Sequence, residues 1–263
     1  MRILYLGNNW LGWQVLQWLR QQGEGIAGLV VHPPNKRKFG EEILEAANLP
    51  TERVFGGSEL RDPDALQAIR ALQPDIGISI MFGYILRAEF LEIFPEGCIN
   101  LHPAYLPYNR GAYPNVWSII EGTPAGITLH YIDTGIDTGS IIAQRQVLME
   151  PVDTGETLYR KLEIASLELF KDTWPLVKTQ RIEGLKQSAE GGTCHRARDV
   201  ERIDEIQLDK LYTARELIDV LRARTFPPYH GAYVMVNGRK VYLRLQLIYD
   251  EMIREDRSDE HDD

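Results

Sequence analysis

Apolar positions along the chain fall into short runs separated by stretches of helical periodicity. Residues 2–6 (RILYL) form one such run, ended by Gly7-Asn8-Asn9, after which Leu11, Val15, Leu16 and Leu19 recur on one helical face. A second strand is predicted over 26–31, stopped by Pro33-Pro34. Helices follow over 41–47 and 64–72, a third strand over 75–80 (DIGISI), a helix from about Leu86 and a strand over 98–102. This alternation predicts an α/β fold, a Rossmann-like and mostly parallel sheet flanked by helices. Ligands are then expected beyond the carboxyl ends of the strands.

After Pro114 the pattern changes. Pro114 suits the first turn of a helix running to about Glu121. Residues 127–132 alternate as a strand does, 141–147 form another, and Thr154 opens a long helix to 178. Gly191-Gly192 reads as a linker and 213–224 as a helix. The run 234–242 reads as a hairpin turning at Asn237-Gly238. The expected organisation is a main domain over residues 1–187 and a small C-terminal subdomain with β structure over 188–263.

Composition narrows the class. At 44% hydrophobic and 25% charged, the 263-residue chain is ordinary globular material, long enough to bury a core without disulfides or metals. Its formal net charge of −9 is the reverse of the basic footprint that phosphate-gripping proteins carry. Part of that charge lies in a strongly charged stretch, 256–263, expected to be a solvated end. Cys98 and Cys194 are far apart and outside any ligand spacing, so neither a metal site nor a disulfide is expected. Both read as reduced, small apolar residues. No leader-like segment opens the chain and no apolar run approaches the roughly 18 residues of a membrane span. A cytoplasmic protein without a membrane partner is expected.

Candidate chemistry concentrates between Ile99 and Gly139. Asn100 and His102 lie two apart on a predicted strand and so project from one face, with Leu101 pointing into the core. Asp137 sits in a turn bounded by Gly135 and Gly139. An amide donor, an imidazole and a carboxylate together suit acyl transfer, in which an oxyanion develops and an attacking amine loses a proton. No serine or cysteine elbow is present, which favours direct attack by a substrate amine. The residues alone leave a plainer alternative open: a satisfied Asn-x-His pair and an Asx turn. The Gly7–Gly12 turn lacks both the GxGxxG and the P-loop patterns, which disfavours a dinucleotide. It serves either as a structural turn or as an anion-facing helix start. Of the remaining histidines, His130 reads as structural and His32, His195 and His261 as solvated. His230 reads as part of an ordered turn.

The wording INLHPAYLPYNRGAYP followed by GITLHYIDTGIDTG closely resembles the paired signature of the N10-formyltetrahydrofolate-dependent formyltransferases, over roughly residues 1–180. That family includes the glycinamide ribonucleotide, methionyl-tRNA and sugar N-formyltransferases. The resemblance implies N10-formyltetrahydrofolate as co-substrate and matches Asn100, His102 and Asp137 to the family's catalytic residues. It implies that Phe82, Gly83, Tyr84, Ile85 and Leu86 line the folate pocket, and that the loop from Ile132 to Asp137, with Asp133 and Gly135, faces the pterin. In the implied mechanism the amine attacks the formyl carbon and Asn100 donates to the oxyanion. His102 assists as donor or base, and Asp137 orients it or a water.

PYNRGAYPNVW is most similar to the sugar N-formyltransferases, which implies a nucleotide-linked amino sugar as acceptor. Arg110 would then grip phosphate, while Trp10, Tyr108, Asn109 and Tyr113 contact sugar or base. TFPPYHGAY also resembles a segment of the tRNA enzyme, whose usually longer C-terminal domain and basic surface contrast with the acidic 190–263 region. Nucleic acid is therefore the weaker expectation. The glycinamide ribonucleotide enzyme ranks third. From other classes, a non-catalytic folate- or nucleotide-binding protein and a nicotinamide-dependent oxidoreductase are alternatives, and a homodimer through the C-terminal hairpin is an expectation.

Overall fold

The computed structural model describes residues 1–179, 184–188 and 191–251. The amino-terminal half alternates strands and helices: β1 (Arg2–Gly7), α1 (Asn9–Gln21), β2 (Gly25–Val31), α2 (Gly40–Ala47), β3 (Val54–Gly56) and α3 (Pro63–Ala71). It continues with β4 (Ile76–Ile80), α4 (Ala88–Leu91) and β5 (Cys98–His102). Then follow β6 (Arg110–Gly111), α5 (Pro114–Glu121), β7 (Gly126–Tyr131), β8 (Ile141–Gln146) and the 24-residue α6 (Gly155–Lys178). The remainder holds β9 (Cys194–His195), α7 (Glu201–Asp204), α8 (Ala214–Ala223), β10 (Tyr233–Val236) and β11 (Arg239–Tyr242).

Seven strands form one sheet in the order β3-β2-β1-β4-β5-β7-β8. The first five are parallel; β7 runs antiparallel to β5, and β8 to β7. Helices cover both faces, which explains why Ile3 to Leu6 is apolar throughout rather than alternating. Ile3 and Tyr5 enter one core with Val15, Leu16, Leu162 and Phe170. Leu4 and Leu6 point the opposite way, into a second core with Leu66, Ile69, Phe90 and Phe94.

Local signals set the helix boundaries. Pro114 occupies the first turn of α5, and Gly122, at φ +62°, closes it. The Thr154 hydroxyl accepts from Thr157 N at 3.2 Å at the start of α6. Thr213 and Glu216 form a reciprocal capping box on α8.

Three features depart from the expected pattern. β3 is only three residues long and is held as a strand by pairing with β2 rather than by any periodicity of its own. The helix expected from Leu86 is a single turn, and Leu86 itself is buried in the second core before that turn begins. β6 and β9 pair across more than eighty residues of sequence, which no local pattern encodes. The C-terminal hairpin forms as expected, with Tyr233 opposite Tyr242 and Asn237-Gly238 at the turn. Val234 packs with Ile206 and Ala232 in a small separate core. The charged stretch 256–263 and His261 lie outside the described residues. Among those described, no helix is long and apolar enough to cross a membrane.

Candidate active site

The carboxyl ends of β1, β4 and β5 form one rim of the sheet, where Gly7 is in register with Ile80 and Ile80 with Leu101. On β5, Leu101 is buried in the core while Asn100 and His102 share the other face. The antiparallel pairing sets Asn100 directly opposite His130 and His102 opposite Thr128. Asp137, in the left-handed region at φ +51°, returns from the β7–β8 connection onto this group. Gly139 lets that connection turn back tightly, since a Cβ there would fall 1.8 Å from the Tyr131 carbonyl.

Four side chains meet. Asn100 Nδ2 lies 3.1 Å from His130 Nε2 and donates to Asp137 Oδ1 at 3.3 Å. His102 Nε2 is 3.6 Å from Asp137 Oδ2 and 3.2 Å from the Asn109 carbonyl. A carbonyl only accepts, so this nitrogen of His102 carries hydrogen. His130 Nδ1 faces the Tyr131 carbonyl at 2.7 Å and carries hydrogen for the same reason, leaving Nε2 of the neutral ring as acceptor for Asn100. Asp137 Oδ2 also accepts from Gly111 N at 2.8 Å.

These contacts set the charge states. Burial disfavours ionised Asp137, but His102, His130 and the Gly111 N–H outweigh it and hold the carboxyl well below its usual range. For His102 burial dominates and pushes the imidazole below its ordinary value; the Asp137 charge offsets part of this, while His130 adds to it. A neutral imidazole beside a carboxylate is thus the resting arrangement at neutral pH. Cys98, beneath the site, is buried and its thiol is pushed up, so it is no nucleophile. Cys194 is also a free thiol and is exposed on β9.

The five residues of 82–86 divide in role. Phe82 is half-buried and Ile85 is 69% exposed, while Leu86 belongs to the core. Phe82 and Ile132 pack against the same core cluster. Ile136 is also exposed. Ile85 and Ile136 thus present apolar surface, while Phe82 and Ile132 are partly withdrawn into the core. Asp133 Oδ1 accepts from Gly135 N and Thr138 Oγ1, at 3.0 and 2.6 Å, which shapes the loop. His32 is buried here, correcting its expected solvation: its ring stacks on Phe82 at 5.0 Å and accepts from Gly83 N at 3.2 Å.

The residues expected to meet the acceptor also divide. Trp10 and Tyr108 are half-buried and Tyr113 is exposed. The Asn109 side chain, by contrast, is buried and donates to Ser118 and Thr123, so it serves packing. Two nitrogens of the Arg110 guanidinium are taken by Gln187. His195 is not solvated either; it stacks on Trp117 at 4.0 Å and lies 3.0 Å from Glu121. His130, expected to be structural though near the pocket, contacts both Asn100 and Asp137. Its parity with Thr128 was visible in sequence, whereas the register that sets it against Asn100 was not. Gln187 and Gly111 carried no signal.

The fold and this cluster define a group-transfer enzyme on a Rossmann-like sheet. Residues 1–173 match the formyl transferase family and residues 199–249 the N-formyltransferase dimerization C-terminal domain. The chain belongs to the formyltransferase family, enzymes that transfer a formyl group from formyl-tetrahydrofolate, its co-substrate. A sugar N-formyltransferase from Shewanella sp. FDAARGOS_354 superimposes with a TM-score of 0.82, covering 95% of this chain and 98% of that one at 25% identity. PseJ from Anoxybacillus kamchatkensis, solved with UDP-4,6-dideoxy-4-formamido-L-AltNAc and tetrahydrofolate, is 31% identical with a TM-score of 0.57. That match covers 77% of this chain and 89% of PseJ. In sequence, the methionyl-tRNA formyltransferase of Geotalea daltonii is 30% identical over 92% of this chain and 78% of its own length.

Proposed function

We propose that the chain transfers the formyl group of N10-formyltetrahydrofolate to the amine of a nucleotide-linked amino sugar, by direct attack of that amine. The observation that carries the acceptor class is the spacing along the strand-end rim. Neighbouring strands lie about 4.8 Å apart, so the β1–α1 turn stands about 10 Å from Asn100 and His102, two strands away. That is the span from a sugar amine to a diphosphate. At the turn, α1 has no acidic residue in its first turn, where an anion is favoured. Lys38 accepts from Asn9 N through its carbonyl and reaches Tyr229 Oη at 3.0 Å. Asn9 Nδ2 donates to Tyr159 Oη at 2.7 Å, and Phe226 lies 5.4 Å from Tyr159, so aromatic rings stand beside the cation. Lys38 suits a phosphate better than Arg110, whose guanidinium faces Gln187, and Trp10 and Tyr113 remain candidates for the sugar or base.

In this reading Asn100 donates to the oxygen that gains charge as the amine adds to the formyl carbon. His102, neutral at rest with its hydrogen on Nε2, takes the amine proton on Nδ1 while Asp137 stabilises the imidazolium. Collapse of the tetrahedral adduct then breaks the bond from the formyl carbon to N10, which receives that proton as tetrahydrofolate leaves. The C-terminal hairpin, with Val236, Val241 and Tyr242 more than 40% exposed, forms a homodimer through the region that matches the dimerization domain. The two domains are taken as 1–187 and 188–263, in a cytoplasmic enzyme.

Methionyl-tRNA is the second reading, favoured by the names of the sequence relatives. The net charge of −9 opposes it. Titration calorimetry separates the two: thymidine or uridine diphosphate binds the purified protein, and Lys38→Ala weakens that binding about tenfold, as losing one charged hydrogen bond does. Binding of initiator tRNA with no affinity for either diphosphate would replace the sugar reading with the tRNA one.

A further inference from the structure

Gln187 stands on the segment between α6 and β9, outside the group of four side chains, yet its amide is used at every position. Nε2 donates to the Asp137 carbonyl at 2.8 Å and to the Gly139 carbonyl at 2.7 Å. Oε1 accepts from Arg110 Nε at 3.1 Å and from its terminal nitrogen at 2.6 Å. One end of the amide therefore closes the Asp137 turn and the other holds β6.

The same segment continues along the outer edge of β6. Thr193 Oγ1 accepts from Asn109 N at 2.8 Å, the Thr193 carbonyl from Arg110 N at 3.0 Å, and the His195 carbonyl from Ala112 N at 2.9 Å. The inner edge of this stretch supplies the two backbone groups that touch the site, the Asn109 carbonyl to His102 and the Gly111 N–H to Asp137. Asp137 itself is held in a left-handed conformation that is unfavourable for a non-glycine residue. A turn in that state needs outside bonds to keep its shape.

We propose that Gln187 is a positioning residue for formyl transfer: it ties the Asp137 turn to the Arg110–Gly111 strand and so holds the carboxylate against Gly111 N and His102. This rests on the role given to Asp137 above. The consequence is that Gln187, with Thr193 and His195 along β6, acts on the site through Asp137 and Gly111 and is more than a passive connection.

The test uses the full chain with Gln187→Ala and Gln187→Glu. The glutamate keeps a partner for Arg110 but turns carboxylate oxygens toward the Asp137 and Gly139 carbonyls. Both variants should lose about 10- to 100-fold in kcat, the scale expected for a misplaced reacting group, with the KM for the folate changed less than about threefold. The acid limb of the kcat/KM profile should move to lower pH, since the carboxylate that raises the His102 pKa is no longer held beside it. Wild-type kcat and pH profile in both variants would overturn the proposal. So would a loss of activity that only follows the folded fraction, measured by circular dichroism, with the profile unmoved. Asp137→Asn is the control: an inactive Asp137→Asn beside normal Gln187 variants overturns the positioning role alone, whereas an active one removes the reading of Asp137 on which it rests.

Discussion

Asn100 Nδ2 and His130 Nε2 face each other at 3.1 Å across the antiparallel pair of β5 and β7. Because the Tyr131 carbonyl fixes hydrogen on His130 Nδ1, the opposite nitrogen is an acceptor, and Asn100 turns its NH2 toward it. The second acceptor, Asp137 Oδ1, is only 3.5 Å from that same His130 nitrogen. His130 thus orients Asn100 as a donor. His130→Phe should lower kcat about tenfold, the worth of one lost hydrogen bond of roughly 1–1.5 kcal/mol, with the folate KM nearly unchanged. Steady-state kinetics with kcat intact would show that Asn100 is oriented by other groups.

Removing the donor itself has a larger effect. Asn100→Ala should reduce kcat by about 10²–10³-fold, the range for losing one oxyanion-hole donor, while equilibrium binding of the folate changes little. A near-normal kcat in this variant would exclude Asn100 from the transition state.

The pH behaviour follows from His102. Burial holds its pKa below the ordinary 6.5, so the base form persists into mildly acidic solution. The acid limb of kcat/KM should lie below pH 6.5, falling as native His102 protonates, while Asp137 stays ionised throughout this range. Stability has the same sign. The unfolded imidazole binds its proton first, so the contribution of His102 is complete above about 6.5 and is lost as pH falls through the lower, native pKa. Denaturant titrations from pH 8 to 5 check this; stability rising on acidification from 6.5 would contradict a buried, neutral His102.

Gly111 joins the site to the linker. At φ +86° it occupies a region that L-residues rarely adopt, and a Cβ would fall 2.3 Å from the His195 carbonyl. Gly111→Ala should destabilise the chain by about 1–3 kcal/mol and lower kcat as well, because the N–H that meets Asp137 shifts. Chemical denaturation together with kinetics measures both, and a variant as stable and active as the parent would show that the β6–β9 pairing is dispensable.

Much of this was legible in the chain. The strands that carry Asn100, His102 and His130, and the caps at Pro114 and Thr154, are local matters of period and turn chemistry. What sequence could not supply was register and long-range pairing. His130 reads as structural until β7 is set against β5, and His32 reads as solvated until Phe82 folds over it. Asn109 looks like a ligand contact in its loop, yet Ser118 and Thr123 turn its amide inward. Gln187 is one glutamine in a polar stretch, and only the three-dimensional return of that stretch to Asp137 gives it meaning.

In the proposed reaction this cluster moves a formyl group onto a nucleotide-linked amine. The most direct measurement is tetrahydrofolate release from 10-formyltetrahydrofolate. The acceptor panel would hold thymidine- and uridine-diphosphate-linked 3-amino and 4-amino sugars, glycinamide ribonucleotide and charged initiator methionyl-tRNA. Turnover with an amino sugar is expected, abolished by His102→Asn. Turnover confined to the tRNA or to glycinamide ribonucleotide, or an undiminished His102→Asn enzyme, would contradict it.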